Sequence, residues 1–368
     1  MVQKLSGRRA MSAAVCSVAA LGIAGCTSSA SSGGGAASAA GSSGGNDTAA
    51  AQQVASSGTS GPLCTVQKYG AAKVDLKKVT VGFSQSEATS NPFRATETAS
   101  ITKQAKKLGI KLIQRNANAN VAKQNTDIQD MIAQGAKVLI VAPENSSGLA
   151  PAFKAAKAKH IPILTIDRTV TGKACTDFIG FIGSDFAGQA KIAADDLGTA
   201  MGGKGKVAVL QGTPGNNVAT DRTKGFDAQI KAKYPGIKVV ASQTANFDQA
   251  TGQKVMAQIL QSKPGITGVY AENDTMALGA IQAIRQAGKV PGKDIKVVAI
   301  DGTKDCVNLV ANGQMVADVE TNPRFGPLAF TALDNFYNGK GVANPTIIKD
   351  HHFTQANAKQ AIANGDVY

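Results

Sequence analysis

The polar residues of this chain fall at regular places. A series of short apolar runs ends in groups that hold hydrogen bonds: Ser84-Gln85, Asn116, Glu144-Asn145, Asp167-Arg168, Gln211, Asn246-Phe247-Asp248, Glu272-Asn273-Asp274 and Asp301. Planar carboxylates and guanidinium forks each take two adjacent hydroxyls. Asp167, Arg168, Arg222 and Asp301 gathered in a cleft would therefore suit a polyhydroxylated ligand. Asp167 and Asp301 are the most pointed, because each ends an apolar run, one in either half of the chain. Charges buried in this way need dense mutual pairing. An aromatic face would cover the C–H side of a sugar ring; the chain has no Trp, so Phe93 and Phe247 are the candidates. A polar residue at the end of a run can equally cap the following helix, and Asp248 and Asp274 read as caps.

Constellations for covalent chemistry are missing. Gly202-Gly203-Lys204-Gly205-Lys206 has too few spacer residues for a phosphate-binding G-x-x-x-x-G-K-[ST] loop and reads as a turn. No nucleophile elbow occurs outside the Ser/Gly-rich N-terminal segment, and no His lies near a suitable Ser or Cys. The three His are His160 and the adjacent pair His351-His352, which excludes a His-rich metal framework. The expectation is a binding protein, not an enzyme, with no cofactor and no metal.

The elements that must position these residues alternate from Val79 onward. Strands are expected at Val79–Phe83, Ile110–Gln114, Val138–Val141, Ile163–Ile166 and Phe178–Ile182, separated by helical patterns near 92–108, 121–134 and 146–159. The alternation resumes with strands near 206–210, 237–241, 267–270 and 296–300 and helices near 186–200, 219–233, 249–262, 274–287 and 304–312. Strand–helix alternation with short loops implies right-handed crossovers and parallel sheets covered on both faces. So many units exceed one compact sheet and divide into two similar halves near Ser184-Asp185. The tail adds Val316–Glu320, a helix near 326–338, the run Thr346–Ile348 and a last helix near 356–364. Crossing back and returning, it would make a hinge of several strands. The predicted fold is α/β: two similar doubly wound parallel-sheet domains joined by a multi-strand hinge. The first lobe comprises 62–184 plus about 322–345, and the second 185–321 plus about 346–368.

The first 61 residues read as something other than fold. Lys4, Arg8 and Arg9 precede an apolar stretch, Ala10 to Ala24, too short and Ala/Ser-rich to span a bilayer. It ends in Ile23-Ala24-Gly25-Cys26, which resembles the bacterial lipobox, with Cys26 the residue that would receive the lipid. Residues 1–25 are thus expected to be a signal peptide, by a Sec or a twin-arginine route, and the product a lipoprotein on the outer face of the cell membrane. Residues 26–61 are almost wholly Ser, Gly, Ala and Thr and predict a flexible tether with a span of roughly 30–35 Å.

Composition bounds the rest. Hydrophobic residues at 43% and charged residues at 17% exclude a disordered chain. The formal charge of +14 admits nucleic acid or a membrane surface as partners. The excess, however, is spread over helix faces such as Lys103-Lys106-Lys107 and Lys154-Lys157-Lys159, and no aromatic-interleaved basic stripe accompanies it. With an export signal, this argues against nucleic acid. Of five Cys, Cys64, Cys175 and Cys306 would remain in the mature fold; an exported site permits one disulfide among them, in any of the pairings.

At this point the residues resemble a known family. Val79–Gln85 followed by Asn91-Pro92-Phe93-Arg94 is similar to the opening strand and loop of the type I periplasmic sugar-binding proteins. Ile166-Asp167-Arg168, Leu210-Gln211-Gly212, Ala219–Arg222, Asn246–Asp248, Glu272–Ala280 and Ile300-Asp301-Gly302 follow in the family's order. The resemblance spans roughly 79 to 340 and is strongest to the galactofuranose-binding branch, then to ribose-binding proteins. It implies that Phe93 stacks on the sugar and Arg94, with Asn91 beside it, bonds ring hydroxyls. Asp167 and Arg168 would grip the sugar from the first lobe; Arg222, Asn273 and Asp301 would do so from the second, with Phe247 as an apolar wall. Glu320-Thr321-Asn322-Pro323 falls on a hinge strand that often touches ligand in the family. Asn91-Pro92 is ribose-like, and the loop Ser86–Asn91 is a residue longer than in the galactofuranose branch. The implied protein is a monomer that delivers a monosaccharide to an ABC permease driven by a separate cytoplasmic ATPase. A sugar sensor presenting its closed form to a membrane receptor is the alternative. The lactose-repressor family shares the fold, but an export signal stands here where its DNA-binding headpiece would be.

Overall fold

The computed structural model describes residues 53–59 and 61–368 of the 368-residue chain. In the first half, β1 (Gln53–Thr59) and α1 (Val66–Tyr69) lead into β2 (Thr80–Gln85), α2 (Pro92–Leu108), β3 (Lys111–Asn116), α3 (Val121–Ala133), β4 (Ala136–Val141), α4 (Ala150–Ala158), β5 (Ile163–Ile166) and β6 (Gly180–Gly183). The second half runs α5 (Phe186–Ala200), β7 (Lys204–Gln211), α6 (Asn217–Lys233), β8 (Gly236–Thr244), α7 (Gln249–Ser262), β9 (Gly268–Ala271), α8 (Asp274–Gln286), β10 (Lys296–Asp301), α9 (Lys304–Ala311) and β11 (Ala317–Glu320). The tail supplies α10 (Gly326–Tyr337), β12 (Thr346–Lys349), β13 (His352–Thr354) and α11 (Ala358–Asn364).

Two sheets result, ordered β1-β12-β6-β5-β4-β2-β3 and β13-β11-β10-β9-β7-β8. All pairings are parallel except those of the two edge strands β1 and β13. Val138, Leu139, Ile140 and Val141 of β4 are all fully buried, as continuous apolar runs must be when helices cover both faces of a sheet. The order of strands reverses between β2 and β4 in one sheet and between β7 and β9 in the other. Those are the switch points beyond whose carboxyl ends an open α/β sheet binds its ligands. The predicted α/β fold of two doubly wound lobes is what the chain adopts, and the helix lysines Lys106, Lys107, Lys154 and Lys159 are exposed.

The domain boundaries need two corrections. Thr346–Ile348, assigned above to the second lobe, lies in the first: β12 pairs parallel with β6 through Thr346↔Ile182 and Ile347↔Gly183. Gly180–Gly183 is buried throughout, and an open buried edge requires a covering strand. The chain therefore crosses between lobes at Ser184-Asp185, at Thr321–Phe325 and at Asp350-His351, and the second lobe resumes with β13. The end of the expected tether is also ordered, because β1 pairs antiparallel with β12, Val54 opposite Ile348. An edge strand offers unpaired backbone groups that even a Ser/Gly-rich segment can satisfy. Cys26 and the expected signal peptide lie outside the described residues.

Cys64 and Cys175 form a disulfide that closes a sequence separation of 111 residues, and Cys306 is a buried free thiol. The bridge ties the segment before β2 to the β5–β6 connection and stays within one lobe, so it leaves hinge motion free. By loop-closure entropy a loop this long should stabilise the oxidised chain by roughly 4–5 kcal/mol. The variant carrying Cys64→Ser and Cys175→Ser should melt several degrees lower without loss of ligand affinity. A matching loss of affinity would mean that the bridge shapes the cleft.

Candidate functional site

From the first lobe the site is built on the loop after β2 and the first turn of α2. Asn91 caps that helix: its Oδ1 accepts from the Phe93 N–H at 2.9 Å and the Arg94 N–H at 3.4 Å, with Pro92 opening the first turn. The cap aims Phe93 and Arg94 into the cleft. Phe93 packs edge-on against Tyr368, ring centroids 6.2 Å apart, and the Arg94 guanidinium lies 4.8 Å from the Phe93 ring. Arg94 donates Nε to Glu87 Oε2 (2.9 Å) and Nη1 to Glu97 Oε2 (2.9 Å) and Asp167 Oδ2 (2.7 Å).

Asp167 and Arg168 leave β5 in a tight turn. The Arg168 N–H donates back to the Ile166 carbonyl at 2.6 Å, and Asp167 has φ +60. Phe247 (φ +55) and Asp301 (φ +152) are likewise held at positive φ, which costs about 1–3 kcal/mol each and is found where surrounding structure enforces it. Arg168 gives Nη2 to Glu87 Oε1 at 2.7 Å and Nη1 to Glu144 Oε2 at 3.3 Å.

The second lobe supplies Arg222 from α6. Its Nη1 donates to the Glu272 carbonyl, while Nη2 donates to Thr321 Oγ1 (2.6 Å), Gln189 Oε1 (3.3 Å) and Asp301 Oδ1 (3.3 Å). Asp301 ends β10, as the strand-end rule anticipates. Asn273, rather than Asp274, caps α8 by accepting from Met276 N–H at 3.0 Å, which corrects the reading of Asp274 as a cap; Asp248 does cap α7. Asp274 instead accepts from the N–H and Oγ1 of Thr303 and lies beside Asp318 and Cys306, with one carboxylate or thiol atom of each within 4.8 Å of the others. Thr275 Oγ1 donates to the Phe247 carbonyl at 2.7 Å and so fixes the left-handed backbone there. The Phe247 ring then covers Gly212, where any Cβ would collide with it, so Gly212 is required for this wall.

These groups meet. One cavity is lined by all nine sequence-predicted binding residues, Asn91, Phe93, Arg94, Asp167, Arg168, Arg222, Phe247, Asn273 and Asp301, together with Glu87, Val218 and Thr321. The lobes are closed over it. Arg168 lies 5.7 Å from the Phe247 ring across the cleft. At the rim, Thr169 N–H donates to Asn217 Oδ1 at 3.0 Å and Ser146 N–H to the Gly215 carbonyl at 2.9 Å. Thr321 sits just after β11, in the hinge segment singled out above. Glu87 escaped the sequence reading because it lies past the strand end, inside the lengthened loop; that extra length was the signal.

The electrostatics follow from burial. Desolvation would raise the Glu87 carboxyl, but Arg168 and Arg94 outweigh it and hold it down at about 2. Burial pushes Glu144 and Glu272 up to about 7, against Arg168 and Arg222 respectively. It also raises Asp301, helped by the charges of Asp274 and Asp167. At the hinge, Gln189 Nε2 donates to the Glu320 carbonyl (2.8 Å), Thr321 Oγ1 (2.9 Å) and Asp350 Oδ2 (2.8 Å). Burial, then the nearby Glu320 charge, raises Asp350 to about 7. Glu144, Glu272 and Asp350 thus keep protons in the folded chain that the unfolded chain releases near the ordinary carboxylate range. The stability they contribute is complete below that range and is lost as pH rises through about 7. The ligand-free melting temperature should fall from about pH 5 to about pH 8, and Asp350→Asn should remove up to one proton from that slope. A melting temperature that rises across this interval would contradict the assignment.

Two α/β lobes closing on a cavity lined by Asp, Arg and Phe from both sides define a bilobal small-molecule-binding protein. The periplasmic binding protein domain family model matches residues 81–341, and the chain belongs to the type I periplasmic sugar-binding family. It is 37% identical over 268 residues to the ribose import binding protein of Bacillus subtilis, covering 72% of this chain and 84% of that one. To the galactofuranose-binding protein of Escherichia coli it is 36% identical over 262 residues, 70% of this chain and 82% of that one. Among solved structures, a galactofuranose binding protein superposes with a TM-score of 0.73 at 35% identity, covering 77% of this chain and 97% of that one. A Mycobacterium smegmatis protein in complex with β-D-fucofuranose gives 0.74 at 36% identity, covering 78% and 95%. The relatives are binding components of importers, and the chain is a binding protein, not an enzyme.

Proposed function

We propose that this chain captures a neutral monosaccharide, in its furanose form, between its lobes and delivers it to an ABC permease whose ATPase is a separate cytoplasmic subunit. The carrying observation is the convergence of Asp167, Arg168 and Arg94 from one lobe with Asp301, Arg222 and Asn273 from the other around one cavity walled by Phe93 and Phe247. Ligand bonds made to both lobes stabilise the closed form only, which is the form a permease would recognise. The furanose assignment draws support from relatives named for galactofuranose and solved with fucofuranose and with L-arabinofuranose. The mature chain would be held at the outer face of the cell membrane by lipid on Cys26.

A calorimetric and thermal-shift screen against pentoses, hexoses and furanose-locked glycosides tests the ligand class, since a bound sugar raises the melting temperature by mass action. No response to any sugar would refute the reading. Fatty-acid labelling that persists in Cys26→Ala would refute the anchor.

A further inference from the structure

The lengthened loop after β2 places one carboxylate that the family resemblance did not assign. Glu87 gives one oxygen to each first-lobe arginine, Oε2 to Arg94 Nε at 2.9 Å and Oε1 to Arg168 Nη2 at 2.7 Å. Its backbone carbonyl is held by Asn116 Nδ2 at 2.7 Å, and the neighbouring Ser86 carbonyl accepts from the Ala119 N–H at 2.9 Å, so the loop is tied to the β3–α3 connection. Its side chain is 13% exposed, against 4% for Arg94 and 2% for Arg168, and it lines the cavity. Among the residues lining the cavity, Glu87 and Asp167 are the carboxylates set against Arg94 and Arg168. The remaining carboxylates on the two first-lobe arginines, Glu97 and Glu144, stand behind them and are pushed up by burial, so they can take protons. Glu87 is the member held firmly ionised.

We propose that Glu87 sets the charge specificity of the cleft: it fills the anion-accepting forks of Arg94 and Arg168, so that neutral sugars enter and sugar acids are rejected. This rests on the sugar-binding reading above. A hydroxyl can donate to Glu87 and accept from an arginine, and so fits beside the pair. A ligand carboxylate would meet a fixed like charge in a desolvated site and find both forks occupied. Rejection by a placed repulsive group is a usual source of selectivity. Without the Glu87 charge the same two guanidiniums become a receptor for a carboxylate.

The test measures binding of matched pairs, galactose with galacturonate and ribose with ribonate, to the mature chain by calorimetry. The wild-type chain should bind a neutral member and ignore its acid. In Glu87→Gln the ratio of neutral to acid affinity should fall about tenfold or more, through gained binding of the acid. Glu87→Asp, which keeps the charge, should hold the wild-type preference. If Glu87→Gln does not fold, Glu87→Ser carries the same comparison. An unchanged ratio in the uncharged variants, or equal loss of preference in Glu87→Asp, overturns the proposal. Absence of neutral-sugar binding in the wild-type chain counts instead against the sugar-binding reading, and acid binding gained only by the uncharged variants still supports Glu87.

Discussion

Asp301→Ala is expected to abolish the sugar-induced rise in melting temperature, with affinity falling at least about 100-fold, while the ligand-free fold changes by no more than about 1–2 kcal/mol. The asymmetry comes from the surroundings of the carboxyl. Asp301 is buried at the end of β10, and desolvation, with the charges of Asp274 and Asp167, raises its pKa, so holding it ionised is unfavourable in the empty cleft. Losing it leaves Arg222 with the Glu272 carbonyl, Thr321 and Gln189 as partners. A bound hydroxyl, in contrast, would lose its acceptor on the second lobe, and with it the cross-cleft bond that favours closure. Because Asp301 has φ +152, Ala inherits the backbone strain and Gly does not; Asp301→Gly should be the more stable of the two. Calorimetry that found affinity within tenfold of wild type would remove Asp301 from the binding set.

Arg168→Ala should behave differently, losing ligand and fold stability together. Arg168 is 2% exposed and carries the ion pairs of Glu87 and Glu144, at 2.7 and 3.3 Å. Removing one partner of a buried pair abandons the other, at a cost of about 3–5 kcal/mol. Here two carboxylates are abandoned. Their pKa values must rise once the guanidinium is gone, and a raised carboxylate loses its contribution to stability as pH rises. The melting deficit of Arg168→Ala relative to wild type should therefore be larger near pH 8 than near pH 5. A deficit independent of pH would show that the loss is one of packing against Phe247 and not of charge.

Much of this site was legible before any coordinates. Asp167 and Asp301 announced themselves as charged groups ending apolar strands, and parallel sheets place strand ends together at one rim by their connectivity alone. The helices and strands of both halves fall close to where periodicity put them, since buried β-branched runs and amphipathic helices are local patterns. What escaped was non-local. The edge strand β1 carries little apolar content and exists because β12 offers it backbone partners, and β12 sits in the first lobe because β6 needed covering. Neither fact is written in the residues concerned. The pairing of Cys64 with Cys175 was open among three thiols until the fold brought the N-terminal segment beside the β5–β6 connection.

The sequence by itself thus determined the two-lobed α/β architecture, the family, and which groups line the cleft: Asp, Arg, Asn and Phe, in a chain without Trp. Only the tertiary structure decided how those charges are shared. Arg94 and Arg168, read as donors to ligand hydroxyls, are held by Glu87, Glu97, Glu144 and Asp167. A residue's type states what bonds it can make. Which of them remain for the ligand depends on partners that burial brings within hydrogen-bonding distance from other parts of the chain.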